Sequence, residues 1–271
     1  MKSGNYSNYK ELARSVRLTI LRLIHETKSP HIGSSFSIVE ILVALYFKIL
    51  KVSPEDPFNK ERDRFILSKG HACPAFYAVL HERGFLTKDE LNGFAINEGL
   101  LEQHPSLDLK HGIEITSGSL GHGLSIGAGM ALAGKLDKAN YKVYALLSDG
   151  ELNEGSTWEA MMFANQHTLN NLIAMVDCNK IQALGHTKDI IDLNPINKKW
   201  ENFGWHVKQV NGHNFNQIFK AFNTLHRDKP NVIILQTVKG KGVSFMEDNV
   251  LWHYRPPDEE EYARAIKELS K

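Results

Sequence analysis

The sequence predicts an α/β fold, a parallel sheet with helices on both faces. Four short segments rich in β-branched or apolar residues, 141–147, 172–176, 205–210 and 232–237, read as strands. Helical patterns at 123–136, 156–169 and 214–227 stand between them, and strands that alternate with helices pair in parallel. No internal repeat, low-complexity tract or Pro/Gly/Ser linker divides the chain, so 1–271 reads as a single domain.

In chain order, 9–27 is an amphipathic helix, with Leu12, Val16, Ile20, Leu23 and Ile24 at helical spacing. A Ser/Pro/Gly loop at 28–37 leads to a more buried helix at 38–50, giving an N-terminal helical segment over 9–50. A third helix is expected at 75–83, after the loop Ser68-Lys69-Gly70-His71. Beyond Gly118 the strand–helix alternation begins, and a charged helix at 258–269 ends it. Ligands of such sheets sit outside the carboxyl ends of the strands, which directs attention to the loops after Leu147, Val176 and Thr237.

Composition narrows the function. Thirty-two Lys+Arg balance 31 Asp+Glu, which argues against a nucleic-acid binder or a basic membrane-surface protein. No apolar stretch reaches the ~18 residues of a spanning helix, and the first residues lack a secretory signal, so the cytoplasm is expected. Cys73 and Cys178 form no CxxC pair, which excludes a Cys-based zinc site. Thirteen His are the one oddity of composition.

Three loops carry candidate chemistry. Ser148-Asp149-Gly150-Glu151-Leu152-Asn153-Glu154-Gly155 places a carboxylate at a strand end; read by itself it is equally an ordinary strand–turn–helix connection. Val176-Asp177-Cys178-Asn179-Lys180-Ile181 places an amide at the next strand end. Together they form a partial oxygen set for Mg2+, which takes one or two protein groups plus phosphate oxygens and water. Ser117-Gly118-Ser119-Leu120-Gly121-His122-Gly123 opens a helix, and its glycines either admit an anion or let that helix pack closely. Gly240-Lys241-Gly242 after the last strand is a weaker loop of the same kind.

Asp149-Gly150 with Asn179 one βα unit later resembles the thiamine-diphosphate signature. Lys28-Ser29-Pro30-His31-Ile32-Gly33 resembles the KSGHPG segment of transketolases, and Leu67-Ser68-Lys69-Gly70-His71 their LSNGH. Gln103-His104-Pro105 is similar to their GHP, and Thr116 to Gly123 to their TTGPLGQG. Trp252-His253 falls where that family has its last active-site His. The resemblance covers the diphosphate-binding third of a transketolase. It implies the thiamine-diphosphate-binding fold and the N-terminal subunit of a split enzyme. A separate C-terminal subunit would bring the pyrimidine-binding domain with its activating Glu, in an α2β2 assembly.

By that resemblance, Asp149, Asn179 and the Ile181 carbonyl hold Mg2+ (or Ca2+). Gly118, Ser119 and Leu120 line the thiazolium of thiamine diphosphate; His71, His253, Gly150, Glu151 and Asn179 meet the diphosphate end. His31, His104 and His253 face the sugar, where imidazoles suit proton transfer near neutral pH. Glu154 stands at the interface that links paired sites. The implied reaction moves a two-carbon ketol unit from a ketose, phosphorylated or not, to an aldose; a dedicated sugar pathway or 2-keto acid decarboxylation is the alternative. Pro30 and Ile32 depart from the family segment around His31, Ser148 from the first Gly of its GDG, and His122 from its Gln. The other eight His match nothing and are expected to be structural.

Overall fold

The computed structural model describes residues 6–271. Its centre is a five-stranded parallel sheet in the order β1-β2-β3-β7-β6: β1 (Arg64–Leu67), β2 (Val143–Ser148), β3 (Leu172–Cys178), β6 (His206–Asn211) and β7 (Asn231–Gln236). Every residue of β2 and β3 is buried. These strands are near-continuous apolar runs because helices cover both sides. Successive side chains feed opposite cores. Tyr144, Leu146, Ile173, Met175, Ile233 and Leu235 enter one cluster, and Val143, Ala145, Leu147, Ala174, Val176 and Ile234 enter the other.

The first face is covered by α1 (Tyr6–Thr27), α2 (Ile32–Phe36), α3 (Val39–Ala44), α4 (Cys73–Arg83), α10 (Phe215–Asn223) and α11 (Glu259–Leu269). The second is covered by α6 (Gly123–Leu136), α7 (Gly155–Gln166) and α9 (Ile196–Asn202), whose Trp200 is fully buried. A short α5 (Lys88–Asn92) packs near α4, and the antiparallel hairpin β4 (Ile181–Gln182) and β5 (Gly185–His186) leads into α8 (Thr187–Ile190). The loop leaving β3 heads to the second face, whereas the loop leaving neighbouring β7 heads to the first. The sheet therefore opens a crevice between their carboxyl ends.

The expected alternation holds, with shifted boundaries and some omissions. β1 is a four-residue strand between the helices expected at 38–50 and 75–83, where no element was expected, and it lengthens the sheet beyond β2. The 28–37 loop contains α2, and the helix expected at 38–50 splits into α3 and a π-helical turn at Leu45–Ile49. α9 and the β4–β5 hairpin fall where no element was expected. Among the described residues no helix is long and apolar enough to cross a membrane.

Candidate active site

The floor of the site is two strand ends in register at the carboxyl edge of the sheet, Ser148 of β2 beside Asp177 of β3. Asp149 and Asn179 follow immediately. The Asp149 carboxylate is buried and accepts the backbone N–H groups of Gly150 at 2.8 Å and Lys180 at 2.6 Å. Burial, with Asp177 close by, pushes its pKa up to about 7. The Asn179 amide donates through Nδ2 to Asp177 at 2.8 Å, which leaves Oδ1 to accept the Ile181 N–H at 3.1 Å. The Ile181 carbonyl accepts the Lys239 ammonium at 3.2 Å. Carboxylate, amide and carbonyl oxygens on one loop pair form a donor set that suits a hard divalent cation. Among the described residues no cluster of three or more His, Cys, Asp or Glu offers an alternative metal site.

Asp177 organises this floor. It accepts Lys69 Nζ at 2.6 Å, Ser37 Oγ at 2.7 Å, the Thr237 hydroxyl and Asn179 Nδ2. Lys69 and Asp177 both have fully buried side chains. Burial alone would raise the Asp177 pKa, but Lys69 and the hydroxyl donors outweigh it and hold the carboxyl low. Lys239 is also buried, and its pKa falls to about 7 because it is desolvated and near Lys69. Two ammonium groups thus flank the donor set.

Four imidazoles form the opposite wall. His31 precedes α2 in a left-handed conformation (φ 74°), and its N–H donates to the His253 carbonyl at 3.0 Å. Its ring centroid lies 5.1 Å from His71, 5.1 Å from His253 and 6.5 Å from His104. His71 sits on the turn after β1, and His253 closes the 3-10 turn Val250–His253, its Nδ1 2.8 Å from Lys239 Nζ. Burial first, then neighbouring cationic groups, lowers His31 to about 4 and His253 to about 3, and His71 moves down as well. Near pH 7 the His31 and His253 rings are therefore neutral, each with one nitrogen to donate and one to accept a hydrogen bond.

A groove of about 210 Å3 joins the two walls; Asp149, Asn179, Ile181, Lys239 and the four His all line it. A larger cavity of about 640 Å3 lies across the Asn179–Lys180–Ile181 loop, but the convergent donors face the smaller groove. Gly118, Leu120 and Gly150 line the groove. Ser119 does not: it is exposed on the outer surface with His122. Glu151 is placed behind the groove, fully buried, its carboxylate taken by the Gly121 N–H at 2.9 Å, the Ser148 N–H at 3.2 Å and the Ser68 hydroxyl. It fastens the glycine loop to the strand end. Gly123 serves packing, since a Cβ there would stand 2.2 Å from Ser68 Oγ. Glu154 is exposed at the N-cap of α7.

Three groove residues, Lys69, Gln182 and Lys239, and Asp177 buried beneath them, carry no role that sequence patterns assign. Lys69 and Asp177 lie inside the very segments singled out. The weak loop was centred on Lys241, which pairs with Glu247 at 3.0 Å, whereas the groove receives Lys239.

The chain matches the family described as transketolase, thiamine diphosphate binding domain, over residues 8–270. It is 40% identical over 257 residues to an apulose-4-phosphate transketolase subunit from Phocaeicola vulgatus, covering 94% of this chain and 91% of that one. It is 41% identical to the 6-deoxy-6-sulfo-D-fructose transketolase subunit SqwG of a Clostridium species, covering 96% and 95%. The solved transketolase of Campylobacter jejuni superposes with a TM-score of 0.92 at 29% identity, covering 98% of this chain and 43% of that one. The chain thus spans about two-fifths of that enzyme's length and nearly all of the two subunits.

Proposed function

The chain belongs to the thiamine-diphosphate-binding part of the transketolase family, and from that premise we propose that it is the diphosphate-binding subunit of a split transketolase. The observation that carries this reading is the oxygen donor set of Asp149, Asn179 and Ile181 facing two buried ammonium groups and four imidazoles across one groove. When bound, thiamine diphosphate supplies the carbon nucleophile and electron sink for breaking and making a carbon–carbon bond. Asp149, Asn179 and the Ile181 carbonyl would hold Mg2+ or Ca2+, which with the Lys239 side chain would offset the charge of the diphosphate, while the neutral His71 ring would meet it through a hydrogen bond. Gly118 and Leu120 leave space for the thiazolium. His31, His104 and His253 hydrogen-bond the sugar hydroxyls and take part in moving their protons, since an imidazole offers both a donor and an acceptor nitrogen.

The pyrimidine-binding half and its activating Glu come from a separate C-terminal subunit. The near-complete match to relatives named as transketolase subunits supports that division. The assembly is α2β2, with Glu154 at the interface between paired sites, and it works in the cytoplasm. The substrates are a ketose donor and an aldose acceptor, with phosphorylated sugars the first choice.

Reconstitution tests the reading. The purified chain is expected to be inactive alone and to transfer a ketol unit once mixed with its C-terminal subunit, Mg2+ and thiamine diphosphate. Transfer by the isolated chain would overturn the division of labour, and decarboxylation of pyruvate in place of ketose cleavage would overturn the reaction. Asp149→Ala is expected to abolish metal-dependent cofactor binding by the mixture, followed by calorimetry.

A further inference from the structure

Gln182 stands in β4, immediately after the Ile181 carbonyl and paired with Gly185 across the hairpin. It lines the groove beside Asp149, Gly150, Asn179 and Lys239. Its Nε2 is buried and has no hydrogen-bond partner. Buried amide N–H groups in folded proteins almost always find an acceptor, and one left without it stands out. The approach that places it there is tight. A Cβ added at Gly150 would stand 2.9 Å from the Gln182 Cβ, so glycine at 150 is what lets this side chain lie against the strand-end loop.

The neighbouring acceptors are already engaged. Asp149 takes the Gly150 and Lys180 N–H groups, Asn179 Oδ1 takes the Ile181 N–H, and the Ile181 carbonyl takes Lys239. An amide nitrogen is a pure donor and cannot ligate a metal. Its natural target is an oxygen of the anion that the cation holds in place. Resting on the reading of the groove as a diphosphate site, we propose that Gln182 is a diphosphate-binding residue, donating from Nε2 to a diphosphate oxygen next to the metal. The residue binds the anion and leaves the cation alone, and that separation can be measured.

The test uses the full chain and two probes, Mn2+ alone and Mn2+ with inorganic pyrophosphate, followed by calorimetry and by the Mn2+ paramagnetic signal. Wild type is compared with Gln182→Leu, which removes the donor, and Gln182→Glu, which replaces it with a negative acceptor. The expected result is Mn2+ affinity unchanged within about twofold in Gln182→Leu, with pyrophosphate binding about tenfold weaker or more, the range for a hydrogen bond to a charged group. Gln182→Glu should weaken pyrophosphate further. Gln182→Met takes the place of Gln182→Leu if the latter melts early. Pyrophosphate affinities equal to wild type in the variants would overturn the assignment while leaving the groove reading intact, and so would tighter Mn2+ binding in Gln182→Glu accompanied by undiminished pyrophosphate binding. A wild-type chain that takes no pyrophosphate in the presence of Mn2+ would remove both.

Discussion

At the scale of single residues, burial moves several ionisable groups of the groove away from their ordinary states, among them His31, Asp149, Lys239 and His253. His31 is the clearest measurable case. Its pKa is about 4 in the folded protein against an ordinary value of 6.5, so the unfolded chain binds the proton more readily. The corresponding stability is fully present above about pH 6.5 and is lost as the pH falls through about 4. His31→Asn, which tolerates the left-handed backbone at this position, should lose less stability on acidification. The gap between variant and parent should change by up to about 3 kcal/mol between pH 7 and pH 4, read from urea unfolding at each pH. Asp177→Asn leaves Lys69 buried without its counter-ion and should cost about 3–5 kcal/mol. Adding Lys69→Met should restore much of that loss, and a double-mutant cycle in denaturant measures the coupling. The residues of this groove were unevenly legible. Asp149 and Asn179 stand at strand ends where any α/β sheet places ligands, and the four His sit in segments of recognisable pattern. Lys69, Asp177 and Lys239 become functional only through each other. A lysine in a loop reads as a solvated charge until the fold shows that it is fully buried.

At the scale of elements, the turns matter as much as the strands. Gly240 has φ 77°, and a Cβ there would lie 2.2 Å from the Met246 carbonyl oxygen; its N–H donates to the Gly33 carbonyl at 3.0 Å. That turn fastens the Lys239 loop to the segment behind His31. Gly240→Ala should therefore destabilise by at least about 2 kcal/mol, seen as a melting temperature lower by several degrees. α10 and α11 were legible because their caps, Asn214 and Asp258, and their apolar stripes are local. β1 was not: its four residues Arg64–Leu67 carry too short an apolar run to show a period, and only pairing with β2 makes them a strand. The β4–β5 hairpin is shorter still, two residues a side. It is the element that presents Gln182.

At the scale of the whole molecule, two apolar cores on opposite faces brace one sheet, and the most protected backbone should be at its centre. Hydrogen exchange followed by mass spectrometry should find β2, β3 and β7 slowest. β6 should exchange earlier, since it has a neighbour on one side only and its residues are half-buried or exposed. Uniform protection across all five strands would contradict this ordering. The overall plan was readable from the alternation of strand and helix. The assignment of each helix to a face was not, because it depends on the crossover from β3 to β6 and the return through α10 to β7.

The αL turn at His31, tied by its N–H to the His253 carbonyl, also bears on how the groove comes into being. Asp149 and Lys180 are 31 positions apart, so their hydrogen bond closes within two consecutive βα units. His31 and His253 come from near opposite ends of the chain, and their meeting closes almost the entire polypeptide into one loop. Loop-closure entropy rises with length, and contacts of high sequence separation form late. The two walls therefore differ in the chain they must close: the strand-end hydrogen bonds of Asp149 span one short stretch, whereas the imidazole wall carries the closure cost of nearly the whole polypeptide.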